Sequence, residues 1–262
     1  MSEIADERFL PSAWVERDRQ RLDYFIPNYL VKWLDSSWTI CSVGCGSGYD
    51  VECLRRIGFD AFGFDPGART AEFCRRGAAV PFLRRGKAEE LPWGKGRFDV
   101  VYALEVIEHV GCKDFGCELL GDSDSIRVSF LEACLDMLKP GGKLLLTSSN
   151  RACPLDPGHR HLYSPVTRFA IEWLGIQAAL PWHPQNFLLG QNDVRRLMST
   201  SRYRGRATFR ALSVAGYPRR CGRRDLIGRL LAAYLKVISI LPLRTSALAP
   251  ILACEVRLAG GA

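Results

Sequence analysis

At 262 residues, with 47% hydrophobic and 24% charged content, the chain suits one α/β domain with embellishments, or one domain plus a small cap. The balance is ordinary for a soluble globular protein, and no repeat or low-complexity segment sets it aside from that class. The net charge of +8 is unevenly placed: 19 Lys+Arg against 23 Asp+Glu through Asn150 (about −4), then 17 against 5 (about +12), which suits an anionic partner or equally a solvated basic face.

Taken from the start, Met1 to Arg8 carries Glu3, Asp6 and Glu7 and lacks an apolar core, so no signal peptide is read there. Ten cysteines occur without any Cys-x-x-Cys, which indicates neither a zinc ribbon nor a disulfide scaffold. Cys41, Cys53, Cys74, Cys134 and Cys254 fall inside apolar patterns and read as reduced, buried thiols of a cytoplasmic protein.

Residues 12 to 34 predict an amphipathic helix with Trp14, Leu22, Phe25, Tyr29, Leu30 and Trp33 apolar and Pro27 as a break or kink. This helical cover occupies 1–35. Trp38 to Val43 then predicts a buried strand, Gly44, Gly46 and Gly48 a glycine turn, and Val51, Cys53, Leu54 and Ile57 one face of a helix. Strand, glycine turn and helix bring backbone close to a nucleotide-like ligand, although a lone Gly-x-Gly-x-Gly is a weak signal. A second unit follows, with strand Ala61 to Phe64, Asp65-Pro66-Gly67 and a helix around Ala68 to Arg76. Asp65 can accept hydrogen bonds from both hydroxyls of a ribose, or cap the helix that follows.

Val80 to Leu83 predicts a third strand, Phe98 to Leu104 a buried fourth, and residues 111 to 125 a loop. Val128 to Leu138 reads as a helix stopped by Lys139-Pro140-Gly141-Gly142, and Lys143 to Ser148 as a fifth strand. Strands alternating with helices at this spacing imply a parallel sheet covered on both faces. Later, Tyr163 to Leu174 and Gly190 to Met198 read as lid helices around Pro181-Trp-His-Pro184. Thr208 to Val214 and Ile251 to Leu258 read as a closing antiparallel pair. Between them, Asp225 to Leu243 is interrupted by Arg229 and Lys236, so it is a helix packed on the sheet or a membrane-surface face beside Arg219 to Arg224, not a membrane span.

Together these pieces carry a resemblance. Val43-Gly-Cys-Gly-Ser-Gly48, Gly63-Phe-Asp65, Ala88-Glu-Glu-Leu-Pro-Trp93, Phe98-Asp-Val-Val101, Glu105-Val-Ile-Glu-His-Val110 and Leu138-Lys-Pro-Gly-Gly142 occur in order over roughly residues 36 to 150. The chain resembles a class I S-adenosylmethionine-dependent methyltransferase of the broad family that includes ubiquinone-pathway O-methyltransferases. A dinucleotide fingerprint would need glycine at position 49, which is Tyr49. The resemblance implies a Rossmann-like seven-stranded sheet, mostly parallel with an antiparallel closing strand, helices on both faces and a helical substrate cap. Residues 36–150 would be the cofactor-binding core, and 151–262 the substrate-side cap and closing strands of the same domain.

It also implies that Gly44, Cys45, Gly46 and Gly48 lie against the methionine and ribose of the cofactor. Asp65 would hold the ribose diol, Ala88 and Glu89 would border the adenine, and the Leu104 backbone would face the methionine end. Two departures stand out: Ser42 and Lys87 occupy positions where the family often has acids. An in-line attack on the sulfonium methyl by a hydroxyl requires a base. His109, His159 and His161 are the candidates for base or positioning. Glu105, Glu108 and His109 would share a face if helical, and with His161 they resemble the set that holds a divalent metal such as magnesium in small-RNA 2′-O-methyltransferases; the alternative is the metal-free arrangement in which the Glu-His pair caps the helix and organises the pocket. The favoured function is O-methylation of a small-molecule or lipid-like acceptor. The alternatives are an RNA 2′-O-methyltransferase, motivated by the basic second half, and a cofactor-binding protein without catalysis. A peripheral membrane contact and a nucleic-acid partner stand beside the small-molecule substrate.

Overall fold

In the computed structural model, the described residues are 19, 22–67, 70, 81–153, 187–217, 226–240, 243–246 and 248–260. The expected helix at 68–76, the lid helix at 163–174 and the 181–184 loop therefore lie wholly or mostly outside them, as do Cys74, His159 and His161. Seven strands form one sheet: β1 (Thr39–Val43), β2 (Asp60–Asp65), β3 (Leu83–Arg85), β4 (Phe98–Leu104), β5 (Leu138–Ser149), β6 (Ala207–Ala211) and β7 (Ile251–Leu258), in the order β3-β2-β1-β4-β5-β7-β6. The pairs β2–β3, β1–β2, β1–β4 and β4–β5 are parallel, and β7 runs antiparallel to both β5 and β6. This is the mostly parallel, Rossmann-like sheet with an antiparallel closing strand that the resemblance implies.

Alternation along each strand sends side chains to two layers. Cys41, Val101, Ala103, Leu144, Leu146 and Cys254 join one apolar cluster, and Ile40, Val100, Tyr102, Leu145 and Ala253 join the other. Helices α3 (Ser123–Asp136) and α4 (Gln191–Thr200) cover the first layer through Phe130, Leu131, Leu135, Val194 and Leu197. The second is covered by α1 (22–28), α2 (Tyr49–Arg56) and α5 (Leu226–Ile238) through Phe25, Ile26, Val51, Leu54, Leu235 and Ile238. Because both faces are buried, the central strands read as unbroken apolar runs rather than alternating ones.

Several boundaries differ from the sequence reading. Helix α1 is described from 22 and runs through Pro27, whose ring sits in the last turn, before a 3-10 turn at Leu30–Trp33. Strand β3 begins at Leu83, where the expected strand ends, and its two arginines face solvent at the sheet edge. Helix α3 starts five residues before Val128, inside the segment read as loop, because Ser123 to Arg127 is too polar to show an apolar period. Lys139 to Gly142 does not simply stop a helix. It lies within β5, where the pairing with β4 shifts register between Phe98 and Val100 and Gly141 takes φ +77°. Strand β6 ends at Ala211 rather than Val214.

Cys41, Cys53, Cys134 and Cys254 are buried free thiols, as their apolar settings imply. Glu255 on β7 is a buried charge, met by Arg210 at 3.1 Å, Arg257 at 3.2 Å and Lys143 at 3.7 Å. No described helix is long and apolar enough to cross a membrane.

Candidate functional site

The strand order sets β3, β2, β1 and β4 side by side and parallel, so their C-terminal ends form one rim. Every expected cofactor residue lies on it. Gly44, Cys45, Gly46 and Gly48 link β1 to α2, Asp65 ends β2, Ala88 and Glu89 form a 3-10 turn after β3, and Leu104 ends β4. The sheet thus gathers residues that span 61 positions of the chain.

The three glycines all have positive φ: +72° at Gly44, +56° at Gly46 and +75° at Gly48. At Gly44 the requirement is also steric. A Cβ there would lie 2.6 Å from Val106 Cγ2 and 3.0 Å from its Cγ1. Main chain therefore packs directly against the turn after β4 at this point, and the Gly44 and Cys45 amides donate to the Phe64 carbonyl at 2.9 and 3.1 Å.

Asp65 ties the loop to β2. Its Oδ2 accepts from the Gly46 amide at 3.0 Å and its Oδ1 from the Gly67 amide at 2.6 Å. Each carboxylate oxygen has two lone-pair directions, so accepting one amide does not by itself saturate it. A glycine loop and a carboxylate side by side on the rim fit the adenosyl cofactor the fold implies. Beneath the loop, the Cys45 thiol is pushed well above its ordinary range by burial, then by the Asp50 and Asp65 charges, so it stays protonated and unreactive.

Ser42, one of the two departures, is only 2% exposed, and its hydroxyl donates to Asp50 Oδ2 at 2.5 Å. Tyr102 on β4, fully buried, donates to the same oxygen at 2.8 Å. Burial and the Asp50 carboxylate raise the Tyr102 hydroxyl well above its usual range, which keeps it a donor. A carboxylate does stand under the glycine loop here, brought by the first turn of α2. Lys87, the other departure, is exposed, and its amide donates to Glu90 Oε2 at 2.9 Å.

The segment after β4 corrects one expectation. Residues 105–110 are a run of turns, not a helix, with Glu105 at φ +58° and the His109 and Val110 amides bonded to the Val106 and Ile107 carbonyls. The i, i+3, i+4 spacing of Glu105, Glu108 and His109 therefore does not place them on one face, and among the described residues no three ligating side chains gather. Glu105 Oε1 instead accepts from the Tyr217 hydroxyl at 2.7 Å, and that hydroxyl lies 3.2 Å from Thr147 Oγ1. The Tyr217 ring packs edge-on against Phe25 and Tyr29 of the N-terminal segment, at 5.0 and 4.9 Å. Glu108 is fully buried, and its carbonyl accepts from Arg127. His109 Nδ1 lies 2.9 Å from the Gly116 carbonyl, so that nitrogen is the donor of the pair.

Asp50, Tyr102, Tyr217 and Thr147 were not singled out from sequence. The acid directly after Gly48-Tyr49, next to a missing one at Ser42, is a signal for Asp50; nothing local marks Tyr217, 112 positions from its partner. A polar cavity of about 310 Å³ opens beyond the end of β5, not over the glycine loop. Its charged lining pairs internally, Arg196 with Asp124 at 2.6 Å and Arg151 with Asp193 at 2.8 Å.

Comparison with known proteins agrees with this geometry. The ubiquinone biosynthesis O-methyltransferase of Azorhizobium caulinodans is 32% identical over 151 residues, 56% of this chain and 49% of its own. The protein of the same name from Pseudomonas paraeruginosa is 31% identical over 164 residues, 57% and 63% of the two chains. The chain spans about half the length of the curated relatives it matches. Among solved structures, a chain of the complex between the Haloferax volcanii Trm112 methyltransferase activator and a methyltransferase superposes with TM-score 0.50 at 17% identity, covering 95% of this chain and 96% of that one. The plantazolicin methyltransferase BamL, solved with a triazolic desmethylPZN analog and SAH, gives 0.50 at 11% identity, covering 93% and 86%. These two likenesses speak for the fold. The model of the family described as "Methyltransferase domain" matches residues 14–192. Since that match takes in the whole rim from β1 to β5, the chain belongs to the methyltransferase-domain family, on its class I fold.

Proposed function

We propose that the protein transfers a methyl group from S-adenosylmethionine to an oxygen of a small, lipid-like acceptor. The observation that carries the reading is the joined pair of glycine loop and carboxylate, in which Asp65 binds the Gly46 amide while ending β2. Bound on that rim, the cofactor supplies an electrophilic methyl on a sulfonium. The backbone of Gly44 to Gly48 lies against its ribose and methionine, Asp65 accepts from the diol, Ala88 and Glu89 border the adenine, and the Leu104 backbone closes the methionine end. Asp50 supplies the negative charge that the family often carries at the Ser42 position.

An acceptor hydroxyl has to shed its proton as it attacks. His109, whose ring is oriented by the Gly116 carbonyl, takes that proton or positions the hydroxyl, and His159 and His161 are the further candidates. That the curated relatives are named ubiquinone biosynthesis O-methyltransferases supports oxygen as the acceptor atom and an apolar acceptor. The reduced thiols fit a cytoplasmic enzyme.

Calorimetric titration with S-adenosylhomocysteine tests the premise, and absence of binding overturns it. Transfer of labelled methyl across a panel of phenolic and isoprenoid acceptors tests the chemistry. Turnover on RNA alone would favour the RNA reading, and cofactor binding with no turnover on any acceptor would favour a non-catalytic one. Activity that falls after treatment with a chelator and returns with magnesium would restore Glu105, Glu108, His109 and His161 as a ligand set.

A further inference from the structure

Helix α5 buries one face and leaves the opposite one apolar. Leu235 and Ile238 are 4% and 1% exposed and join the core layer that holds Phe25, Tyr29 and Tyr217. On the other side, Leu230, Ala233 and Val237 follow i, i+3, i+7 spacing, and Ile240 continues the row just past the helix end. Leu230 is 60% exposed, Val237 55% and Ile240 63%. The Tyr234 hydroxyl donates to the Leu248 carbonyl, which holds that residue, itself 52% exposed, beside the helix. Four of the seven large apolar side chains most exposed among the described residues therefore fall on one patch.

Charge decides what covers it. Between residues 219 and 250 the sequence holds seven basic residues, Arg219, Arg220, Arg223, Arg224, Arg229, Lys236 and Arg244, against the single acid Asp225. Lys236 is exposed and lies at the border of the apolar row. A second copy of this chain docking through the same patch would bring two such basic segments together. A bilayer with anionic headgroups offers both the apolar depth and the opposite charge that an interfacial helix needs.

We propose that α5 is an interfacial membrane anchor, lying along an anionic lipid surface with Leu230, Val237, Ile240 and Leu248 inserted between headgroups. The helix is too short and too charged to span, so the contact is peripheral and reversible. Its buried face belongs to the same core layer as Tyr217.

Flotation of the full chain with vesicles of phosphatidylglycerol and phosphatidylcholine, against phosphatidylcholine alone, tests this. The protein should float with the anionic vesicles, less so as salt rises, and remain unbound with the neutral ones. The triple variant L230E/V237E/I240E should lower partitioning by on the order of tenfold or more. Circular dichroism establishes that this variant folds, and if it does not, L230E and V237E singly carry the comparison. Failure of the wild type to bind anionic vesicles overturns the proposal, as does binding unchanged in every folded variant. Concentration-dependent dimerisation by light scattering, lost in the variants with no vesicle binding, assigns the patch to a second copy instead. Because flotation reads no methyl transfer, its failure leaves the enzymatic reading standing.

Discussion

Replacing Gly44 by alanine should damage both the fold and cofactor binding by an amount that can be divided into two parts. The backbone part comes from φ +72°, where a Cβ costs about 1–2 kcal/mol. The packing part comes from Val106, whose Cγ2 and Cγ1 would lie 2.6 and 3.0 Å from the new methyl. Val106 is β-branched and stiff about χ1, so relief requires backbone movement, and overpacking of this kind costs about 1–3 kcal/mol. The total is roughly 2–5 kcal/mol. A central loss of about 3 kcal/mol lowers the melting midpoint by about 6–12 °C in a chain of this size. The assay is thermal unfolding of four proteins: wild type, Gly44→Ala, Val106→Ala and the double variant. Val106→Ala alone should cost about 1 kcal/mol. In the Gly44→Ala background it should recover the packing part and leave the backbone part, a coupling of about 1–3 kcal/mol. Titration with S-adenosylhomocysteine should follow the same order. A Gly44→Ala protein that melts with the wild type and binds equally well would refute the close approach of loop and turn.

Asp65→Ala removes the acceptor of two amide bonds and the proposed diol contact, so affinity for S-adenosylhomocysteine should fall on the order of 10- to 100-fold by calorimetry. Asp50→Asn keeps the shape under the loop and deletes its charge; stability should drop by about 1 kcal/mol, and an affinity equal to wild type would remove Asp50 from the cofactor's surroundings. Tyr217→Phe retains the ring contacts but loses a bond to a carboxylate, which should cost about 1.5–3 kcal/mol in denaturant melts. Acid sensitivity should map to Asp136. Burial pushes its carboxyl up, but hydrogen bonds from Tyr203 and Lys95 and the charge of Arg202 outweigh it and hold it below the usual range. A depressed carboxylate stabilises above its unfolded value, near 3.9, and loses that contribution as pH falls through the folded one. Asp136→Asn should therefore be less stable at neutral pH and show a flatter stability profile below about pH 4; a parallel profile would contradict the assignment.

The central strands were legible because burial on both faces leaves little room for anything but apolar residues. Phe98–Leu104 and Ile251–Leu258 match their expected limits for that reason. The edge strand β3 was misplaced because an edge needs only one buried residue, Leu83, and tolerates Arg84 and Arg85. On the rim, Gly44, Gly46, Gly48 and Asp65 are local strand-to-turn signals, while Ala88 and Leu104 came only with the family resemblance. The turn after β4 was not legible, because helical spacing describes where side chains would lie on a helix and says nothing about whether one forms. Glu105 in the left-handed region ends that possibility at the first residue. Contacts such as Ser42 with Asp50, or Glu105 with Tyr217, depend on how the layers close and leave no periodic trace.

The Tyr217 hydroxyl joins pieces from both ends of the chain at one atom. Its ring is clamped by Phe25 and Tyr29, and its oxygen is shared by Glu105 and Thr147 at the ends of two neighbouring strands. Any group placed against Glu105 at this point has to displace that oxygen and loosen the aromatic trio with it. The N-terminal helix and the residues just after β6 are thereby coupled to the turn after β4, whose Val106 packs against Gly44 of the glycine loop. Substitutions at Phe25, Tyr29 or Tyr217 should then appear as an altered acceptor range.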